Sequence, residues 1–399
     1  MQMHQVCTRS RMLKSCITLL LALTATAAAA ASPTTAYAAT SAVVGHLYVN
    51  DNTTGTNTIA GFDRHADGTL SPVSGSPFAA GGSGTGAGLA SQGAVQLSTD
   101  GHYLIAVDAG SSQISVLKIM HDGTLRQIPN GIVPSGGITP VSVTVNGDLV
   151  YVANAGPGGS NYTGFILNRG GHLRPLAGST IALSDAAQPG DVLFNSTGTN
   201  LVGTEVGTSE IDSFQVARHG LLTAAPGSPF PAQGLGPFGS EFRPTNPGQL
   251  FVSNAHNTAT DSGTVSAFNV SANGALSSIG SSPFADGQMA PCWVEISHDG
   301  SYLFTVNTAS GSISRYAIAH DGTLTLLGST PVSGSGGAGA VDARLSPDGR
   351  WLFVDESKLD AIDTFAVSAG TLTEAASSPT PLPAGATPAG LVANSTHRH

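Results

Sequence analysis

Seven acidic or amide residues stand at equivalent places along the chain. Asp51, Asp108, Asn154, Glu205, Asn254, Asn307 and Glu356 each occupy the fifth position of a short apolar run. Side chains of these types accept hydrogen bonds, and gathered at one point they could grip a polar ligand. Glu205 and Glu356 are the candidate catalytic pair. One carboxylate can activate water while a second, protonated, serves as the acid; the same pair could instead hold a cation. Asp51, Asp108, Asn154, Asn254 and Asn307 are the candidate ligand-binding residues. A plainer account competes. Asx residues at strand ends cap the turn that follows through their own side chains, which suits the Asp and Asn members and suits Glu less.

Other chemistry is thin. His65, His121, His172, His219, His298 and His320 lie in or beside turns far apart in the sequence, without close metal-ligand spacing, so no metal site is expected from them. No phosphate-cradling loop ending in Gly-Lys-Ser/Thr occurs, and no Gly-x-Ser-x-Gly elbow precedes a helix. No cofactor is expected. Cys7 and Cys16 lie near the N-terminus, which leaves Cys292. It reads as a small buried apolar residue rather than a nucleophile.

The elements that must position the seven residues come from a repeat. His-Asp-Gly-Thr-Leu occurs at 121–125 and again at 320–324, and Asp-Gly-Thr-Leu at 67–70. A Gly followed soon by Leu marks Gly68, Gly123, Gly171, Gly220, Gly274, Gly322 and Gly370, spaced 48–55 residues apart. A second turn is expected ahead of each, at Gly45, Gly101, Gly147, Gly198, Gly248, Gly300 and Gly349. Between the turns lie runs rich in Val, Leu, Tyr and Phe, such as "YLIAV", "YLFTVN" and "TVSAFNV", which read as strands. Two hairpins per unit make four strands, and that period predicts an all-β, seven-bladed β-propeller of four-stranded antiparallel blades. The first unit lacks its first strand, and "TPAGLVAN" at 387–394 resembles that strand standing alone. Pairing of this C-terminal strand beside residues 46–50 would close the ring and hide two sheet edges. The single domain is read as 43–394, with 395–399 as a tail. The Gly-rich links between blades, such as "GGSGTGAGLASQ" and "SGSGGAGAV", read as compact crossings. Phe238 and Trp293 either line the mouth of the channel or pack between blades.

Composition narrows the partners. Charged residues are 10% of the chain and the net charge is −10, against roughly 25% charged in an average globular chain. No Lys/Arg cluster is present, so no nucleic-acid partner is expected. Arg9, Arg11 and Lys14 precede an apolar run from Ile17 to Ala31, and Ala36-Tyr37-Ala38 offers a small-x-small cleavage site. Residues 1–38 are therefore read as a secretory signal peptide, the run being short for a membrane span. The mature chain is expected to be secreted, extracellular, free of the membrane and monomeric. Its expected partner is a small-molecule or carbohydrate ligand at the axial cleft.

"SPDGRWLFV", "DGTL" after the third strand and "SPF" closing the fourth resemble the lactonase-type seven-bladed propellers, which include bacterial 6-phosphogluconolactonases and fungal carboxymuconate lactonising enzymes. The resemblance covers nearly all of 44–394. It implies hydrolysis of a lactone or related ester at the axial cleft. It also implies an Arg and a His in a Gly-Pro-Arg-His run, a Glu after an Asn at the end of the next strand, and a His on the preceding blade. This chain has Gly236-Pro237-Phe238-Gly239, Asn254-Ala255 and Gln188-Pro189 at the matching places. The family's Arg, His and Glu are not retained, and whether the chain is an enzyme stays open. Arg243 is the nearest cation, with Glu241 as an alternative partner on the sheet. The other reading is a non-catalytic extracellular propeller that binds a carbohydrate, a cation or a protein on the same face.

Overall fold

The structure, a computed structural model, describes residues 41–257, 259–332 and 339–396. The segment read as a signal peptide, with Cys7 and Cys16, most of the "SGSGGAGAV" crossing and the last three residues of the tail lie outside the described residues.

The repeat folds as its turns dictate. Gly68, Gly123, Gly171, Gly220, Gly274, Gly322 and Gly370 all take positive φ, a backbone region open to Gly at no steric cost. In the Asp-Gly-Thr turns the Asp carboxylate accepts from the Thr two residues on. Thr69 donates its N–H at 3.1 Å and its hydroxyl at 2.7 Å to Asp67, and Thr124 does the same to Asp122. At Gly123 a Cβ would also meet the His46 ring at 2.4 Å. The "SPF" motif has a separate reason to recur. Its Ser accepts the N–H of a third-strand residue where the fourth strand is interrupted: Ser76 from Gly61, Ser228 from Ser213 and Ser282 from Ala267, as Ser378 of the related Ser-Pro-Thr does from Thr364. Two expected turns differ. Gly45 and Gly248 lie inside the strands Val43–Asn50 and Asn246–Asn254, because the pairing of Arg243 with Asn246 moves one turn ahead of Gly248.

Seven antiparallel sheets result, each ordered from its first strand to its fourth. The first strands touch one another around a closed ring: Val95–Leu97, Pro140–Asn146, Pro189–Phe194, Pro237–Arg243, Pro291–Ile296, Ala340–Leu345 and Leu391–Ala393. They are therefore the innermost strands of a seven-bladed β-propeller. Among the described residues the short 3-10 turn Ala109–Ser111 is the only helical element. The ring closes where the sequence requires it. Leu391–Ala393 pairs with Val43–Asn50 in the register Leu47 with Ala393 and Val49 with Leu391. Arg64 clamps that seam by donating to the carbonyls of His46 and Asn394.

The core lies between blades. Tyr48 and Ile59 of the first blade pack with Val95 and Leu104 of the second; Tyr151 and Tyr162 of the third pack with Val192 and Phe194 of the fourth. The buried phenols reach the turn glycines of the following blade: Tyr48 donates to the Gly123 carbonyl and Tyr151 to the Gly220 carbonyl, both at 2.9 Å. Burial pushes both hydroxyls well away from ionisation.

Candidate functional site

The seven equivalent residues are all buried. Each turns toward the third strand of its own blade, and in six blades the partner lies seven residues on. Thr58 donates to Asp51 at 2.7 Å, Ser115 donates to Asp108, and the amides of Asn154 and Asn307 donate to Asn161 and Ser314, both at 2.9 Å. Asn254 donates to Thr264 and Ser266. Burial pushes Asp51 up to about 7 and raises Asp108.

Blades four and seven break the pattern, because there the partner is a second carboxyl. Glu205 accepts from Thr208 and faces Asp212, which burial and then Glu205 push up to about 8. Tyr162 of the preceding blade donates to Asp212 at 3.1 Å. Glu356 faces Asp363, and both Glu356 oxygens lack a hydrogen-bond partner. Burial and then Asp363 push Glu356 up to about 8, while Asp363, bonded to Ser378, sits at about 6. Two buried carboxyls side by side disfavour ionising together.

The channel itself is built by residues that pattern reading left aside. The link between the first and second blades is not a compact crossing; it runs into the channel. Gln92, 3% exposed, donates its amide to the carbonyls of Ser240 and Val294 and accepts the Val294 N–H, while its own N–H donates to Gly190. One residue thus ties the second blade's leading segment to blade four through its backbone and to blades five and six through its side chain. Trp293 donates its indole N–H to the Ser91 carbonyl at 2.9 Å, and Ser91 donates to the Val141 carbonyl.

This plug divides the axis. Gly88, Leu89, Ala90 and Ser91 line a cavity of about 400 Å³ on the face where the second strands end. Its walls are Phe238, Cys292, Trp293, Thr308, Val341, Ser357 and the segment Thr387–Ala389. Phe238 and Trp293 do both things open to them: they line this cavity and pack edge to face on each other, 5.1 Å between centroids. Among the described residues no charged side chain lines it. Cys292 is its one titratable group among the described residues, and burial pushes that thiol up to about 11, so it stays protonated.

Gln92 and Gly93 line a smaller chamber of about 170 Å³ on the other side. Five blades contribute to it, among them through Gln96, Asn146, Asp191, Phe194, Glu241 and Arg344. Arg344 pairs with Glu295 at 3.2 Å. Burial opposes its charge, yet the carboxylates of Glu295, Asp342 and Glu241 outweigh that and hold its proton more tightly than water would. Asp191 accepts from Ser240 and Ser142, and burial pushes it up to about 7. Arg243 is not the partner of Glu241. It donates to Gln249 and to the carbonyls of Gly300 and Ala319 at the blade edge.

None of the seven equivalent residues lines either axial cavity. Asn307, Glu356 and Glu205 approach the upper one through their chain neighbours; Thr308, next to Asn307, lines it. Ser357 lines it, and Val206 shares a buried apolar cluster with Phe238. The signal that could have found the lower chamber is the isolated charge within an apolar innermost strand: Asp191, Glu241, Glu295, Asp342 and Arg344.

Residues 55–158 and 242–398 match the family model described as lactonase, 7-bladed beta-propeller. No curated protein matches the chain in sequence. Among solved structures, a candidate 6-phosphogluconolactonase of Bacteroides uniformis superposes with a TM-score of 0.71 at 21% identity, over 88% of this chain and 100% of that one. A second candidate 6-phosphogluconolactonase, of Bacteroides fragilis, gives 0.70 at 20% identity over 91% and 100%. The periplasmic gluconolactonase of Pseudomonas aeruginosa gives 0.68 at 19% identity over 88% and 99%.

Proposed function

Because the chain belongs to the lactonase family of seven-bladed β-propellers, we propose that its upper axial cavity takes an uncharged lactone or related cyclic ester and opens it with water. The observation that carries this is the lining. Phe238 stands where a cationic run would serve an anionic sugar phosphate, and every wall residue is uncharged. Burying an unpaired phosphate among such residues would be costly. Glu356 does not line the cavity but stands next in the chain to its wall residue Ser357, and we assign it as the base for a water that reaches it from the cavity side. Raised to about 8, it works in its ionised form at mildly alkaline pH. It takes a proton from water, the hydroxide adds to the ester carbonyl, and the ring oxygen leaves with a proton to give the hydroxy acid. Glu205 and its partner Asp212 are the second carboxyl pair of the same kind. The protein does this outside the cytoplasm, after loss of residues 1–38; N-terminal sequencing of the exported chain tests that part.

A second reading is binding without turnover, favoured by a lining on which, among the described residues, the protonated thiol of Cys292 is the sole titratable group. One experiment separates the two. In a Trp351→Phe background the remaining indole is Trp293, whose fluorescence reports binding while proton release reports ring opening. Neutral lactones are expected to change the emission and release protons, with release lost in Glu356→Gln. Emission change without proton release supports the binding reading. Faster turnover of 6-phosphogluconolactone than of neutral lactones would overturn the proposal.

A further inference from the structure

The lower chamber has its own unused recognition chemistry. The side-chain amides of Gln96 and Asn146 carry no hydrogen bond among the described residues, and the Nε of Arg344 is buried without a partner. Glu241 lines the same space, with its carboxyl facing Arg344 and Glu295 and making no hydrogen bond of its own among the described residues. Phe194 supplies an aromatic wall beside them. Gln96, Asn146 and Glu241 are half-buried, whereas the Arg344 Nε is fully buried; natively folded chains leave few such buried polar atoms unpaired, so this one, with the three polar side chains lining the same space, asks for a partner.

The chemistry of that partner is constrained. Arg344 is already neutralised by Glu295 at 3.2 Å, so an anion gains little there and meets Glu241 and Asp191. A metal cation would meet Arg344, and no group of three or more His, Cys, Asp or Glu side chains is disposed to hold a metal among the described residues. Planar amides, a carboxyl and a guanidinium each present paired donors or acceptors. Adjacent hydroxyl groups, each both donor and acceptor, satisfy such pairs, and the C–H face of a ring packs on an aromatic wall. The volume of about 170 Å³ admits one small ring.

We propose that the lower chamber is a binding site for a single uncharged monosaccharide or comparable cyclic polyol, held by Gln96, Asn146, Glu241 and Arg344 against Phe194. It is separate from the lactone cavity, with Gln92 and Gly93 as its ceiling.

Isothermal titration of the intact protein with glucose, galactose, xylose and myo-inositol tests this, with calcium chloride and sodium phosphate as charged probes. At least one sugar or polyol should bind in the micromolar to millimolar range. The double variant Gln96→Leu/Asn146→Leu should weaken it by roughly tenfold or more, the loss of one or two hydrogen bonds. Both amides lie outside the Arg344 ion pair, so this variant should fold. The Trp293 response to a neutral lactone should be unchanged in the same protein, which keeps the two sites distinguishable. The proposal is overturned if no sugar or polyol gives heat, if calcium or phosphate binds in their place, or if the double variant binds as the wild type does.

Discussion

Above Gln92 the channel is walled by Phe238, Trp293 and Val341; below it, by Glu241, Asp191 and Arg344. The two linings come from the same strands. Phe238 and Glu241 both lie on Pro237–Arg243, and Val341 and Arg344 both lie on Ala340–Leu345. Three residues along a strand span about 10 Å, so polarity reverses within that distance. The difference teaches that the innermost strands serve two environments, and that the plug keeps them apart. An apolar cavity can stay empty or hold an apolar ring at little cost, whereas a polar one must be satisfied by water, protein or ligand.

The sharpest way to break the comparison is to remove the cation of the lower chamber. Arg344→Met leaves Glu295, Glu241 and Asp342 without their counter-charge, and should cost roughly 3–5 kcal/mol in urea unfolding. Adding Glu295→Leu should recover a large part, because both charges are then gone. The upper cavity should respond to neither change except through global stability.

Removing the divider comes next. Gln92→Ala leaves the carbonyls of Ser240 and Val294 and the Val294 N–H unpaired, and should cost roughly 2–3 kcal/mol. Because the cavities then join, the Trp293 emission should shift toward that of a water-exposed indole.

Acidity should separate the two regions. Burial pushes both Asp191 and Asp342 up to about 7, above the value of about 4 they have when unfolded. The native state therefore keeps protons that the unfolded chain releases. That stabilisation is full below the unfolded value and is lost as pH rises through about 7, at no more than about 1.4 kcal/mol per group per pH unit. Urea midpoints should be lower at pH 8 than at pH 5 for that reason. Binding in the upper cavity, which has no carboxyl on its walls, should stay flat over the same range.

The smallest effect sharpens the claim that the lower amides are there for a ligand. Asn146→Ala should change stability by less than about 0.5 kcal/mol, since that amide has no partner within the described residues. A loss of several times that size would make it part of the framework.

Much of the fold was legible in the sequence because its punctuation is local. Asp67-Gly68-Thr69 encodes its turn through a positive φ at Gly68 and an Asp that accepts from Thr69, all within three residues. The closing strand at 391–393 could be read because the first unit visibly lacked one. Gly45 and Gly248 misled because a Gly-containing pattern does not distinguish a turn from a strand beside one. The site was less legible. The equivalent placement of Asp51, Glu205 and Glu356 was visible, but the direction of their side chains depends on the third strand of the same blade. The spacing of seven residues to Thr58, Asp212 and Asp363 was present in the sequence as an unused clue.

Blade number, the Asp-Gly-Thr turns and ring closure were settled by the order of residues alone, because each depends on neighbours a few positions apart or on a repeat that counts itself. The meeting of Gln92 with Ser240 and Val294, and of Arg344 with Glu295 and Glu241, was decided only in three dimensions. Those residues come from different blades and share an environment solely because the ring brings its innermost strands to one axis, where charge and hydrogen bonding act through space rather than along the chain.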